Sequence, residues 1–372
     1  MRKKVVVLRQ VDYDFPSVKK TLQNILALIY DMNLIKNKII LIKPNCGAIA
    51  TPKDGLTVHP IVLKALIQIL KENKSKEIIV AESSYVENDT IEALNKSGLM
   101  RVIEEEKINF IDFKKSEYID IKIDGLTLKQ LKLPKILINI DLLISLAKLK
   151  TNLATTVTLS IKNLKGLIPD AFKRKFHLLN LANSIFDLYK SITIEKIGII
   201  DGVIGSELYS AKKGNILAGS NDLVSLDLHC SKLMGFKKQN VKYLNLFETR
   251  KYKIITNIKS ISKFNKKPSS LEEIEKKYNV NIIGRAMCSS CLGFLINGLK
   301  KAKNENLLKN KITTVIGPQK DLQSSISDEY IIIGNCLKHL ESKGLFISGC
   351  PPISSDLVET IKKLKLLQIT KN

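Results

Sequence analysis

Four cysteines fall in the last quarter of this chain: Cys288, Cys291, Cys336 and Cys350. The first two frame a CxxC, Cys288-Ser289-Ser290-Cys291. The third closes the apolar run Ile331-Ile332-Ile333-Gly334-Asn335-Cys336, and the fourth stands in Gly349-Cys350-Pro351-Pro352. Thiolates gathered at the ends of elements suit a tetrahedral zinc or a 4Fe–4S cluster. The gaps of 44 residues between second and third and 13 between third and fourth fit a cluster held between elements. Compact zinc ribbons use two close pairs. The expected centre is a 4Fe–4S cluster on these four residues, with zinc or unliganded reactive thiols as the alternatives. Cys46 and Cys230 have no cysteine near them in sequence and read as core or loop thiols. Cys46, beside Lys43 and Asn45, is also placed for a lowered pKa.

A second constellation is Lys148-Leu149-Lys150-Thr151-Asn152, followed by Lys162-Asn163-Leu164-Lys165-Gly166. Lysines two apart on an extended segment project to the same face. Ammonium groups neutralise a phosphate or carboxylate while amides and hydroxyls orient it; a lysine-rich surface loop is the plainer reading. Asp201 closes the apolar strand Ile197–Ile200, and Asp222 and Asp227 flank the next helix start, Asp222 as its N-cap or first-turn acid. Carboxylates from these positions could hold a divalent cation beside an anionic substrate. His59 stands before Pro60 at a helix start and His177 at the start of another; each is a candidate general base or a capping residue. No HExxH, GxSxG, Walker A or complete GxGxxG occurs, so the common hydrolase, NTPase and dinucleotide templates find no support.

The elements that must position these groups alternate. Strand signals at Lys4–Arg9, Lys38–Lys43 and Glu77–Ala81 are separated by helical patterns at Pro16–Met32 and Pro60–Lys71, the signature of βαβ units and a mostly parallel sheet. Ligands in such sheets bind beyond the carboxyl ends of the strands, which singles out Lys43-Pro44-Asn45 and Glu82-Ser83-Ser84. A hairpin at Tyr118–Leu133 turning at Asp124-Gly125, strands at Ile136–Asn139, Leu142–Ala147 and Lys196–Ile200, and helices at His177–Lys190 and Leu223–Met234 continue the α/β pattern. The expected organisation is an α/β domain over residues 1–250, a lysine-rich boundary zone at 251–277 and a smaller α/β cysteine-bearing domain over 278–372. The last contains a helix at Leu292–Lys303, strands at Ile312–Ile316, Tyr330–Ile333 and Leu345–Ser348, and a final helix from about Ser354.

Composition sets outer bounds. The 372 residues are 44% hydrophobic and carry 60 Lys plus Arg against 36 Asp plus Glu, a formal net charge of +24. A core is affordable, which excludes global disorder. No run of about eighteen apolar residues occurs, so membrane insertion is not expected. The N-terminal apolar run is too short for a signal sequence, and we expect a cytoplasmic protein, where cysteines are metal ligands or reactive thiols more often than disulfides. The positive field suits an anionic partner. Nucleic acid is not the expected one, because the lysines are scattered and lack the arginine and aromatic interleaving of a reader motif.

The strings Lys43-Pro44-Asn45, Thr57-Val58-His59-Pro60, Lys148-Leu149-Lys150-Thr151, Ser160-Ile161-Lys162-Asn163-Leu164-Lys165-Gly166, His177, Ile200-Asp201-Gly202 and Ser220-Asn221-Asp222 through Asp227 occur in this order. Over roughly residues 38–236 they resemble the domain of unknown function 362 family, whose members are often linked to iron–sulfur modules. The resemblance implies an α/β domain with these lysines, asparagines and aspartates at its site, and it supplies no reaction. Three features depart from it. Asn152 stands where histidine is frequent, Ser206-Glu207-Leu208-Tyr209-Ser210 replaces a glycine-rich loop, and the ferredoxin repeat CxxCxxCxxxCP is absent. Separately, Leu345-Phe346-Ile347-Ser348-Gly349-Cys350-Pro351-Pro352 resembles the GCPP cluster-ligand segment of hydrogenase and respiratory complex I small subunits.

These readings converge on an iron–sulfur, redox-linked protein, expected to be an enzyme. It would bind an anionic small molecule through Lys43, Asn45, Lys148, Lys150, Lys162 and Asn163, and would exchange electrons with a redox partner protein. The catalytic candidates are Lys43, His59, Lys150, Lys162, His177 and Asp201. A non-catalytic electron-transfer or scaffold protein, and a basic nucleic-acid-binding protein with structural zinc, are the alternatives.

Overall fold

The computed structural model describes the chain except residues 1, 87, 209, 249, 263, 265–269, 285, 286, 288, 319–326, 350, 351, 353 and 372. Two of the four proposed metal ligands, Cys288 and Cys350, lie outside the described residues. The chain divides into two compact units, Met1–Lys266 and Lys267–Asn372.

The first unit is built on strands β1 (Lys4–Arg9), β2 (Ile39–Pro44), β3 (Glu77–Glu82), β4 (Asn109–Asp112), β5 (Tyr118–Lys122), β6 (Gln130–Pro134), β7 (Leu142–Asn152), β8 (Thr156–Thr158), β9 (Lys196–Glu207), β10 (Ser210–Ser220) and β11 (Lys253–Thr256). All but β5 and β6 form one sheet in the order β11-β1-β10-β9-β7-β2-β3-β4, with β8 paired to the end of β7. The block β9-β7-β2-β3-β4 is parallel throughout; β10 runs antiparallel between β9 and β1. The expected mostly parallel α/β sheet is therefore what forms.

Side-chain alternation explains why both faces are covered. In β2 and β7, Leu41 and Leu143 enter one core with Phe176, Leu226 and Tyr243. Ile40, Ile42, Leu142 and Ile144 enter the other with Leu22, Leu66 and Leu94. A central parallel strand buries both of its faces and so reads as a continuous apolar run. Helices Phe15–Ile29 and Pro60–Glu72 supply the second core. Their N-caps are Asp14 and His59, each accepting from a first-turn amide, with proline at the first or second helical position.

Several local expectations change. Residues 135–139 form a 3-10 helix, Lys135–Asn139, not a strand: the turn follows Pro134 directly. The helix expected at His177–Lys190 is two, Asp170–Leu178 and Leu181–Ser191. Asn180 breaks the pattern because its side chain accepts from the amide of Asn183 and caps the second helix. The stretch 251–277 contributes β11 to the large sheet, parallel to β1, and the helix Leu271–Tyr278 to the second unit.

That second unit carries a four-stranded parallel sheet, β12 (Val280–Ile283), β13 (Ile312–Ile316), β14 (Ile331–Ile333) and β15 (Leu345–Ile347), ordered as in the sequence. Helices Ser289–Asn304 and Ser354–Lys371 pack Leu295, Leu299, Leu357 and Ile361 against Ile316, Ile331 and Ile333. Among the described residues no helix is long and apolar enough to cross a membrane.

Candidate functional site

The carboxyl ends of β2, β3, β7 and β9 bring the charged groups of the first unit together. Lys43 at the end of β2 donates to Glu82 Oε1 at the end of β3 (2.7 Å), with side chains 1% and 2% exposed. It also lies 3.3 Å from Asn163 Oδ1. Glu82 is fully engaged, since it accepts from the amides of Cys46 and Ser83 as well. One strand over, Lys148 donates to Asp201 Oδ2 (2.6 Å), both side chains at 0% exposure. Asp201 accepts further from Tyr13 Oη, the amide of His59 and the amide of Val203. A buried ammonium and carboxylate persist together because each offsets the other's desolvation when the remaining donors and acceptors are also paired.

Lys150 differs from its two neighbours. Its Nζ donates to Asn45 Oδ1 (2.7 Å) and to the carbonyl of Leu56 (2.9 Å), and among the described residues no carboxylate pairs with it. A register shift between β7 and β9 separates the two lysines: Lys148 is the cross-strand partner of Asp201, whereas Lys150 lies opposite Ser206. Burial, with the positive charges of Lys148 and Lys43, lowers the Lys150 ammonium to about 8.

The asparagines tie the two sides together. Asn45 Nδ2 donates to Asn163 Oδ1 (3.1 Å), and Asn163 Nδ2 donates to the carbonyl of Lys43 (3.0 Å) and to Ser145 Oγ (3.1 Å). The short helix Ser160–Asn163 that presents Asn163 is anchored by Asp227, which accepts from the amides of Ser160 and Ile161, Ser160 Oγ and Tyr243 Oη. Lys162 donates to Thr155 Oγ1 (2.8 Å). Asn152 Oδ1 accepts from the amides of Ala154 and Thr155, so the residue replacing the frequent histidine organises a turn.

The two histidines take defined forms. His59 Nδ1 accepts from the amide of Ile61 (3.2 Å), and its ring stacks on Tyr13 at 3.6 Å. Burial lowers its pKa to about 4, so at neutral pH its proton is on Nε2 and the ring can offer a ligand only a donor. His177 Nε2 lies 2.7 Å from Lys165 Nζ; burial and the charges of Lys165 and Lys162 hold its pKa well below the ordinary value. It is then a neutral acceptor near the end of a helix, where sequence had put it at a start.

Two expectations meet the structure differently. Cys46 is buried and its thiol is pushed up to about 12 by desolvation; burial outweighs the nearby lysines that suggested a lowered value. Cys230 is buried too and shifted the same way. Asp201, Asp222 and Asp227 do not share a cation site. Among the described residues no group of three or more His, Cys, Asp or Glu could hold a metal, and each aspartate serves a separate network. Asp222 caps the helix Leu223–Leu233 and pairs with Arg250 (2.5 Å). Sequence reasoning missed Tyr13 as part of the site, and it singled out Glu82 and Gly166 without the pairing of Glu82 to Lys43 or the close fit of Gly166 over that pair. For Glu82 its strand-end position was the available signal; nothing local marked Tyr13.

In the second unit, Cys336 follows β14 and Cys291 lies in the first turn of Ser289–Asn304. A Cβ placed on Gly334 would lie 3.7 Å from Cys336 Sγ, 3.8 Å from Cys291 Sγ and 3.6 Å from the carbonyl of Gly349. Gly334 has φ +96°, a conformation that favours glycine. Asn335 donates its amide to the carbonyl of Gly349 (3.0 Å), and Gly349 returns its own amide to Asn335 Oδ1 (2.7 Å). The residue before Cys350 is thereby bound to the residue before Cys336.

Residues 40–232, more than half of the chain, match the model of a domain of unknown function (DUF362). The chain belongs to the DUF362 family. The matched DUF362 segment contains every site residue above in the first unit except Tyr13 and those of the Asp227 and Asp222 partners beyond residue 232, Tyr243 and Arg250. A thylakoid-associated protein of Synechocystis sp. is 25% identical over 240 residues, covering 61% of this chain and 73% of that protein. The lactate racemase apoprotein of Thermoanaerobacterium thermosaccharolyticum aligns with a TM-score of 0.43 at 14% identity, over 62% of this chain and 57% of that one. A structural-genomics protein of Thermotoga maritima aligns at 0.38 and 12%, over 62% and 58%. This chain thus spans less than two thirds of either solved structure.

Proposed function

We propose that this DUF362 protein is an iron–sulfur, redox-linked enzyme whose larger unit takes an anionic small molecule at the Lys150 end of the lysine network. The observation that carries the reading is the approach of Cys291 Sγ and Cys336 Sγ to one point above Gly334. Both sulfurs border space that any other residue at 334 would fill, and the Asn335–Gly349 hydrogen bonds bring the segment leading to Cys350 to the same end of the sheet. Soft thiolates in an apolar setting suit a cluster. Cys288, Cys291, Cys336 and Cys350 would hold it, and when bound it would supply one-electron transfer to or from a partner protein. A reducing compartment, the cytoplasm, goes with this reading, since thiols there remain available as ligands.

The anion is assigned to Lys150 because Lys43 and Lys148 are already neutralised by Glu82 and Asp201, while Lys150 retains an uncompensated charge. Asn45 and Asn163 fix the position of that charge.

Anaerobic purification with a visible spectrum and iron, sulfide and zinc analysis tests the proposal. A coloured protein with about four irons and four sulfides per chain is the expected result. A colourless protein with about one zinc per chain overturns the redox reading and makes the second unit structural.

A further inference from the structure

Three lysines end in the network, and among the described residues Lys150 alone of the three meets no carboxylate. Glu82 and Asp201 have their oxygens occupied by Lys43 and Lys148 and by backbone amides, so neither carboxylate holds Lys150 in its charged form by direct pairing. The two acceptors that Lys150 does meet, Asn45 Oδ1 and the Leu56 carbonyl, are neutral and need two N–H donors. An ammonium has three. Loss of the third proton breaks neither bond and leaves the lone pair at the remaining tetrahedral position. Lys150 is also the most accessible of the three, at 6% exposure against 1% for Lys43 and 0% for Lys148.

We propose that Lys150 is a covalent residue, condensing as the neutral amine with the carbonyl carbon of a small anionic aldehyde or keto acid. The inference rests on the reading that this site takes an anion, and it adds the substrate class. In the step, the Nζ lone pair forms the C–N bond and the carbonyl oxygen departs as water with the two amine protons. Protonation of the resulting imine restores one N–H for Asn45 or Leu56. Desolvation together with neighbouring cations is a recognised route to such an amine, and it has the same physical origin as the lowered Lys150 pKa.

The full-length protein is incubated with glyoxylate and cyanoborohydride across a pH series, and each lysine's carboxymethylation is followed by peptide mass spectrometry. Labelling of Lys150 should rise to half its maximum near pH 8, and at pH 7 exceed that of the surface lysines by about a hundredfold. Lys150→Arg keeps the charge and should lose that label alone. Thermal shifts with glycolate, which has the carboxylate but no carbonyl, separate the two layers of the argument. No Lys150 label with a glycolate shift present overturns the imine and leaves the anion site standing. No label and no shift with either acid overturns both.

Discussion

Gly166 lies against the Lys43–Glu82 ion pair so closely that a Cβ on it would sit 2.6 Å from Lys43 Nζ and press on Glu82 Oε1. The glycine of the Lys-Asn-Leu-Lys-Gly string is thus a matter of space: its backbone covers a buried charge pair, and its carbonyl accepts from Ser83 Oγ. Gly166→Ala is expected to destabilise the protein by about 1–3 kcal/mol, as overpacking does. Chemical denaturation checks it, and an unchanged midpoint would show that the pair can yield.

Asp201→Asn leaves the Lys148 ammonium buried without its counter-charge. Loss of one partner of a buried pair costs about 3–5 kcal/mol, whereas replacing both by apolar groups of similar size is often neutral. The single variant should therefore be much less stable than Lys148→Met combined with Asp201→Leu. Equal losses in the two would mean that Tyr13 and His59, not the ion pair, dominate at this position.

Acid should weaken the fold through its histidines. His59 in the fold has a pKa of about 4, and His177 is also held well below its ordinary 6.5. Between about pH 6.5 and 4 the unfolded chain binds protons that the folded chain refuses, so stability falls as pH drops through that window. Asp227, lifted by burial to about 7, acts in the opposite sense, losing its contribution as pH rises from about 4 to 7. His59→Asn preserves a helix cap and isolates the first effect. The advantage of the wild type over it should shrink as pH falls from 6.5 to 4; a constant difference would sink the assignment.

Cys291→Ala and Cys336→Ala should each lower the iron content of anaerobically purified protein, and so should Cys350→Ala, while Cys46→Ser leaves it intact. Retained iron in all three variants would remove the cysteine centre. Loss in Cys46→Ser would move it to the first unit.

What could be read in the sequence was set by range. Apolar runs such as Ile39-Ile40-Leu41-Ile42 and Leu142–Ala147 announce central strands because both faces are buried, and the strand-end rule then located Lys43, Glu82 and Asp201, while the spacing of lysines two apart located Lys148 and Lys150. The pairing of those charges was not readable. Glu82 is 39 residues from Lys43 and Asp201 is 53 from Lys148, and only the sheet order joins them. The long β9–β10 hairpin was also hidden, since the polar segment after Asp201 carries no apolar run. Its outer half, from Ser210 to Lys213, is largely exposed or half-buried. β11 escaped for a similar reason: a four-residue edge strand facing solvent leaves little hydrophobic trace.

Lys148 and Asp201 stand directly opposite each other in the β7–β9 ladder. Sliding either strand by one residue would turn one of the two to the other face of the sheet, where an aliphatic core awaits it. Apolar residues on both faces leave the hydrophobic runs of these strands nearly degenerate with respect to such a slip. One oppositely charged couple, buried where no water can rescue a mismatch, removes that degeneracy. It acts as a proofreading mark, admitting a single alignment of two otherwise interchangeable greasy strands.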